Sequence, residues 1–407
     1  MANIIDYIFW RGDLPISAGF PWNELDDLVM ARISYLPLEQ LPGLQTGSMT
    51  LPEAAAVMSG MGREVFHFRE DPKLAQALAA CPRYEKLTLS DFAEHHREVV
   101  EENGVQQEQF AAVTIHLPNR EMYLSFRGTD DTLVGWKEDF NMAFQSHIPA
   151  QKEALSYAQW VAEQYPHEML RLGGHSKGGN IAAYAALYMP DRIKTRLLLV
   201  STFDAPGFMP EILEEKKEDP VLGRIHRFIP QESVVGRLLE MNVEPVVVLS
   251  ESSNVHQHNV YNWQAMKDRL VRAQSLTGGS EIMDDSLKQW LQHSTPEQRQ
   301  VFVEGIYDVM TSTNARTMRE LGTGLLRNFQ GVFRRYKALP EEDRKIMIDM
   351  IQLFGRTYAE ALLSYRKASG TAEEPAPGNG GQAPELTDSA AEGEDALRLE
   401  SPGTDGP

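Results

Sequence analysis

Cysteine is almost absent from this 407-residue chain, which contains Cys81 alone. A single cysteine excludes an intramolecular disulfide framework of the kind that stabilises small secreted domains. Long apolar runs are also missing, because runs such as LLLV within TRLLLVSTF are far shorter than the roughly 20 residues of a membrane-spanning helix. The opening MANIIDYIFWRGD has no basic segment followed by an apolar one, as a signal peptide would have. We therefore expect a cytoplasmic protein with no transmembrane segment.

Positive charge is scarce, since 39 Lys and Arg residues stand against 58 Asp and Glu residues, for a formal net charge of -19. Residues 369–407 hold nine acidic residues and a single base, Arg398, so they contribute -8 and leave -11 for the rest. An acidic chain without a basic stripe repels phosphate backbones, and nucleic acid is excluded as an expected partner. The acidic segment has almost nothing to bury, so we expect a disordered tail over 369–407.

Between about residues 109 and 249, short β-rich runs alternate with helical patterns, which indicates an α/β fold with a mostly parallel central sheet flanked by helices. QFAAVTIHL and EMYLSFRG predict a hairpin. A helix over about 150–164, a strand in EMLRLGG and a helix in NIAAYAALYM follow, and then strands in TRLLLVSTF, RIHRFIP and EPVVVLSES. Open α/β sheets bind ligands at the carboxyl ends of their strands, so we expect the site there.

Three regions are predicted along the chain: 1–278 with the α/β pattern, 279–368 with helical patterns only, and the tail 369–407. Residues 50–105 have a mostly helical pattern and predict either a lid or a packed helical layer. In the second region, a capping box over 295–298 predicts the start of a helix. Apolar residues at helical spacing predict a stripe facing the core: Met347, Met350, Ile351, Phe354, Tyr358, Leu362 and Tyr365.

The segment RLGGHSKGGN places Ser176 in a G-x-S-x-G motif between a predicted strand and a predicted helix. That context is the one in which a sharp turn exposes a nucleophilic serine, and the flanking glycines tolerate the cramped backbone. The alternative is a small polar residue in a structural glycine-rich turn. The context favours the nucleophile.

A nucleophilic serine needs a base and an acid, and in α/β-hydrolases these follow it in the order acid, then histidine. His258 in SNVHQHNVYNW is the predicted base, with His256 as its competitor. Counting strands after the serine nominates Glu232 in PQES as the acid. Asp204, which ends the first of those strands, is the alternative.

The remaining element of such a site is an oxyanion hole. A strand ending in Arg127-Gly128-Thr129 can present the hydroxyl and amide of Thr129, and the amide of Lys177 is the predicted second donor. No metal or organic cofactor is expected, because the histidine pairs lack the helical spacing and carboxylate partners of a zinc site.

An ordered set of segments resembles the bacterial Mbeg1-like proteins (DUF2974), which are similar to class 3 lipases: ANIIDYIFWRGD, FRGTDDTLVGWKEDF, GHSKGGN, FDAPGF, IPQESVVGRLL and QHNVYNW. The resemblance covers about residues 1–265 and implies an α/β-hydrolase fold with a Ser-His-acid site. It supports Ser176, His258 and Thr129, and it favours Asp204 over Glu232. Lys177 departs from the lipases, which usually have leucine there, and this predicts a charge beside the nucleophile.

The expected function is a serine esterase, similar to lipases, that hydrolyses a small-molecule or lipid ester through an acyl-enzyme. The alternative is a catalytically inactive hydrolase fold used as a binding or scaffold protein, with the C-terminal helices as its interaction surface. A partner for those helices cannot be named from the sequence.

Overall fold

The computed structural model describes residues 2–101, 104–129, 141–142, 144–311 and 329–370. Eight strands form one sheet in chain order: β1 Met49–Thr50, β2 Thr88–Glu101, β3 Gly104–Leu117, β4 Glu121–Phe126, β5 Met169–His175, β6 Leu197–Phe203, β7 Ile225–Pro230 and β8 Val246–Val248. The pairs from β1 to β4 are antiparallel, and those from β4 to β8 are parallel. A small hairpin, β9 Ala265–Met266 and β10 Arg269–Leu270, follows.

Helices of the N-terminal segment and of the crossovers cover the two faces of this sheet: α1 Ile4–Arg11, α2 Glu24–Ile33, α3 Pro42–Thr46, α4 Leu51–Ser59, α5 Asp71–Ala79, α6 Pro149–Gln164, α7 Lys177–Tyr188, α8 Asp191–Lys194 and α9 Pro210–Lys216. The helices that follow the sheet in the chain are α10 Gly278–Gln292, α11 Pro296–Thr311, α12 Phe329–Ala338 and α13 Glu341–Gly370. The parallel strands are consecutive in the sheet. Right-handed crossovers between consecutive strands place their helices on one face, which here is covered by α6, α7 and α9.

The two faces of the sheet form separate apolar cores. On β3, Val113 and Ile115 belong to the core shared with α1, α2, α4 and α5, whereas Phe110 and Ala112 belong to the core shared with α6 and α7. This alternation follows from the two-residue period of a strand. The predicted α/β-hydrolase architecture, with its hairpin, parallel strands and intervening helices, is confirmed.

The helical prediction for residues 50–105 is wrong in its second half, because 88–101 form strand β2, paired antiparallel with β3. Its sequence, TLSDFAEHHREVVE, scatters charged residues and two histidines among the apolar ones, so no apolar alternation revealed the strand. The pairing with β3 supplies the backbone hydrogen bonds instead. The first half is helical, and the apolar sides of α4 and α5 lie within the core.

Helix α11 begins where the capping box predicted a helix to start. The Thr295 N–H donates to Gln298 Oε1 (2.9 Å), and the Gln298 N–H donates to Thr295 Oγ1 (3.2 Å).

The predicted core-facing stripe on α13 is only partly right: Met347 and Met350 are buried, but Ile351 is 60% exposed. Residues Met1–Tyr365 form one compact unit, and the predicted boundary at 278 stays a prediction. The predicted tail lies outside the described residues from 371 onward.

Candidate active site

Ser176 lies in the turn between β5 and α7. Its backbone has φ 58° and ψ -136°, a conformation that costs energy in a residue other than glycine. The Ser176 N–H donates to the carbonyl of Phe203 (2.9 Å), and its own carbonyl accepts from the Gly179 N–H (3.0 Å). The sharp turn between a strand and a helix that the motif demands is present, and it places the serine at the carboxyl end of β5.

Two glycines allow the end of β4 to approach this turn. A Cβ atom on Gly178 would lie 2.2 Å from the Phe126 carbonyl oxygen and 2.8 Å from the Gly128 nitrogen. A Cβ atom on Gly174 would lie 2.4 Å from the Gly178 carbonyl carbon. Any side chain at either position would push the segments apart, so these glycines bring Gly128, and with it the neighbouring Thr129, beside the serine turn.

His258 ends a 3₁₀ turn, Asn254–His258, that follows β8. Its Nδ1 lies 2.7 Å from Oδ2 of Asp204, the residue immediately after β6. The Asp204 carboxylate is buried, and its backbone also has a positive φ, 46°. An imidazole with this Nδ1 partner is fixed in orientation and presents its other nitrogen, Nε2, for chemistry.

The His258 ring packs on the residue before the serine, with 4.5 Å between the ring centroids of His258 and His175. Within the described residues, no hydrogen bond joins Ser176 Oγ to His258. Such contacts are often long in an unliganded site and tighten when substrate binds.

Glu232, the acid that the strand count nominated, does not contact His258. Its carboxylate accepts from the Asn254 N–H, and its own N–H donates to Gln257 Oε1 (3.0 Å). Glu232 therefore holds the ends of the turn that carries His258. The competing histidine, His256, has an exposed side chain.

His175 was not singled out by the sequence, although it is the variable residue before Ser176 in the motif. Its Nε2 lies 2.8 Å from the carbonyl oxygen of His258, and its Nδ1 lies 3.3 Å from the Tyr35 hydroxyl. Burial above all, with a smaller electrostatic contribution from the neighbouring His258 and Arg32, holds the pKa of His175 well below its usual range. The ring is therefore neutral, and because a carbonyl can only accept, Nε2 carries the proton.

Lys177 begins α7, where helix geometry supplies no acceptor within the helix for the first N–H groups. Its amide is thus suitably placed at the positive end of the helix dipole. The side chain contradicts the predicted charge at the entrance. It is buried, and Nζ donates to the carbonyl of Gln109 on β3 (3.1 Å).

The family model described as Mbeg1-like matches residues 78–308, more than half of the chain. The chain belongs to the Mbeg1-like family. This confirms the resemblance that the ordered segments indicated. No curated protein matches the chain.

Several solved structures similar to this Mbeg1-like chain carry the name of a lipase. The M37 lipase is 12% identical, with 53% of this chain and 70% of that chain covered, at a TM-score of 0.33. The Lip2 lipase from Yarrowia lipolytica is 14% identical, with 56% and 83% covered, at 0.30. A mutant form of MDLA from Penicillium cyclopium is 14% identical, with 64% and 88% covered, at 0.33. Likeness at these scores carries no argument about chemistry.

The described part of the Mbeg1-like chain offers no group of three or more His, Cys, Asp or Glu residues arranged to hold a metal ion. None of its helices combines the length and apolar character needed to cross a membrane. The predictions of a cofactor-free reaction and of a cytoplasmic location stay predictions.

Proposed function

We propose that this protein is a serine hydrolase of carboxylic esters, with Ser176 as nucleophile, His258 as general base and Asp204 as the acid of the triad. The observation that carries the proposal is the 2.7 Å contact of His258 Nδ1 with Asp204 Oδ2 beside the strained turn of Ser176. A buried carboxylate in this position keeps the proton on Nδ1 and stabilises the imidazolium that forms during the reaction.

The reaction proceeds in two halves. Ser176 Oγ attacks the ester carbonyl carbon while His258 Nε2 takes the hydroxyl proton, and the Thr129 loop and the Lys177 amide donate to the oxyanion. Collapse of the tetrahedral intermediate breaks the bond to the alcohol, which leaves with the proton from His258, and an acyl-enzyme remains. Water, deprotonated by His258, then attacks the acyl carbonyl carbon; the bond to Ser176 Oγ breaks, Oγ takes the proton back from His258, and the carboxylic acid leaves.

The substrate class is an acylglycerol or another acyl ester. The Lys177 side chain is buried and its Nζ binds the Gln109 carbonyl, so it places no charge at the approach to Ser176, which suits an apolar acyl group. A panel of p-nitrophenyl esters of increasing chain length measures the preferred acyl length.

Fluorophosphonate labelling tests the nucleophile. The wild-type protein should be labelled at Ser176 and hydrolyse a short p-nitrophenyl ester, and Ser176→Ala should lose both with an unchanged thermal midpoint. Ser156→Ala, which removes an exposed serine of α6, is the control and should behave as wild type. Equal labelling of the wild type and Ser176→Ala would disprove the proposal and favour the inactive scaffold.

A further inference from the structure

Both carboxylate oxygens of Asp204 are engaged. Oδ2 faces His258, whereas Oδ1 accepts from the Ser233 hydroxyl (2.5 Å) and from the Gly236 N–H (3.0 Å). Two donors on one oxygen prevent the carboxylate from rotating, so the direction of Oδ2 toward His258 is set by the loop 231–240. Hydrogen bonds to an ionised group are shorter and stronger than neutral ones, so this support is effective.

Helix α10 holds that loop from outside the α/β sheet. The Ser280 hydroxyl donates to the carbonyl oxygen of Ser233 (2.7 Å), and the Thr277 N–H donates to the carbonyl of Gln231 (2.9 Å). Ser233 and Ser280 are both buried, with 1% and 3% of their surface exposed. The contact between them is therefore shielded from competing water.

Two ionic contacts flank the buried pair, Arg237 with Asp284 and Glu240 with Lys288. The Lys288 and Glu240 side chains are 38% and 42% exposed, and exposed ion pairs contribute little. The Arg237 and Asp284 side chains are only 17% and 4% exposed, but this pair contacts the loop at Arg237. The bond from Ser280 reaches Ser233, whose hydroxyl itself binds Asp204, and it is therefore the more direct coupling of the helix to the site.

We propose that Ser280 and Ser233 are positioning residues for Asp204, so that helix α10 supports the triad through its acid. The path runs from the Ser280 hydroxyl to the Ser233 backbone, from the Ser233 hydroxyl to Asp204, and from Asp204 to His258. This inference rests on the proposed function, and it gives the first helix of the C-terminal region a role in the site.

Kinetics of four variants test the path. Ser233→Ala should lower kcat about tenfold and Ser280→Ala about threefold, with KM unchanged, because a misdirected acid impairs the transition state and not substrate binding. Ser280→Thr keeps the hydroxyl and should restore most of kcat. Ser286→Ala is the matched control, since this buried serine of the same helix donates only to its own helix, at the Ile282 carbonyl. It should keep the wild-type kcat.

The double variant Ser233→Ala/Ser280→Ala distinguishes two residues that act on Asp204 through one path from two residues whose loss lowers kcat independently. If Ser280 acts through Ser233, the double variant should be no slower than Ser233→Ala, whereas independent effects multiply. Multiplied effects, or a Ser286→Ala variant as slow as Ser280→Ala, would overturn the proposal.

A measurement without turnover distinguishes failure of this inference from failure of the proposed function. The proton of the His258 Nδ1–Asp204 hydrogen bond should give a low-field NMR resonance, assigned by its loss in His258→Gln. It should broaden or disappear in Ser233→Ala and Ser280→Ala and persist in Ser286→Ala, even if no ester is hydrolysed. An unchanged resonance in both test variants, or none in the wild type, would overturn the positioning role.

Discussion

Tyr35 and Gly128 are joined by a hydrogen bond in which the Gly128 N–H donates to the tyrosine hydroxyl across 3.0 Å. The same hydroxyl donates to the carbonyl oxygen of His175, also at 3.0 Å. One side chain from the N-terminal segment thus ties the end of β4, where Thr129 follows, to the end of β5, where Ser176 follows. Tyr35 precedes the 78–308 match, so the proposed site extends beyond it.

Removing the Tyr35 hydroxyl should loosen the oxyanion loop. We expect Tyr35→Phe to lower kcat/KM for a p-nitrophenyl ester about tenfold, less than the 10²–10³ that deletion of a direct oxyanion donor costs. Tyr157→Phe is the control, because it also deletes a buried tyrosine hydroxyl bound to a backbone carbonyl, that of Asp91 (2.9 Å). Similar losses of kcat/KM in the two variants would show that the effect is one of stability.

The two candidate acids should differ sharply on substitution. Asp204→Asn should lower ester turnover by several orders of magnitude with folding retained, since loss of the corresponding acid costs about 10⁴ in the best-studied triad. Glu232→Gln keeps an oxygen that can accept from Asn254 and should change turnover by less than about tenfold. Turnover of both purified variants under identical conditions decides, and the reverse ranking would assign the role to Glu232.

Local sequence patterns were sufficient to predict the strand, turn and helix that carry Ser176. These three elements are adjacent in the sequence, so their order could be predicted without knowledge of the tertiary fold. Strand counting alone did not identify the partner of His258, because it pointed to Glu232; the family resemblance favoured Asp204, which is the carboxylate that the structure brings to His258. The roles of Tyr35 and Ser280 depend on packing between residues distant in sequence, which no local period encodes.

Strand β2 was missed for a related reason. Its pairing with β3 satisfies the backbone, while its charged side chains left no apolar alternation to detect. On α13 the helical spacing correctly indicated that one side of the helix is apolar. The buried side is rotated about the helix axis from the predicted one, since Thr357 and Ala361 are buried whereas Tyr358 is 40% exposed. A small side chain can therefore face the core where a larger neighbour does not.

Neutralising the adjacent carboxylates Asp26 and Asp27 on α2 should change the stability of the protein in opposite directions. Burial raises the pKa of the Asp27 carboxyl to about 6, above the roughly 3.9 of an unfolded chain. The folded state thus binds this proton more tightly, and the associated stability, present below pH 4, is lost as the pH rises through about 6. Asp27→Asn should therefore stabilise the protein by about 1–3 kcal/mol at pH 7 and give no gain at pH 4. Thermal midpoints across this range measure it.

Asp26→Asn should instead destabilise the protein. Asp26 pairs with Arg83 at 2.6 Å, and both side chains are almost fully buried. Neutralising Asp26 leaves the Arg83 charge buried without its partner, which typically costs about 3–5 kcal/mol, so the thermal midpoint should fall at pH 7. A gain from Asp26→Asn, or a gain from Asp27→Asn that does not grow with pH, would contradict the assignment of these two environments.

Truncations at two points should separate the C-terminal helix from the tail. Deleting 371–407 should leave the thermal midpoint and activity unchanged, because the composition of that segment offers little to a core. Deleting 341–407 also removes α13, whose Met347 and Met350 are buried and whose Met350 carbonyl accepts from Trp290 Nε1 (3.0 Å). Burial of each methionine contributes about 1.5–3 kcal/mol, so this longer deletion should lower the midpoint by several degrees.

Because Trp290 belongs to α10, the deletion should also loosen the helix that supports Asp204 and reduce turnover. Equal behaviour of the two truncations would mean that α13 contributes nothing to the fold or to that support.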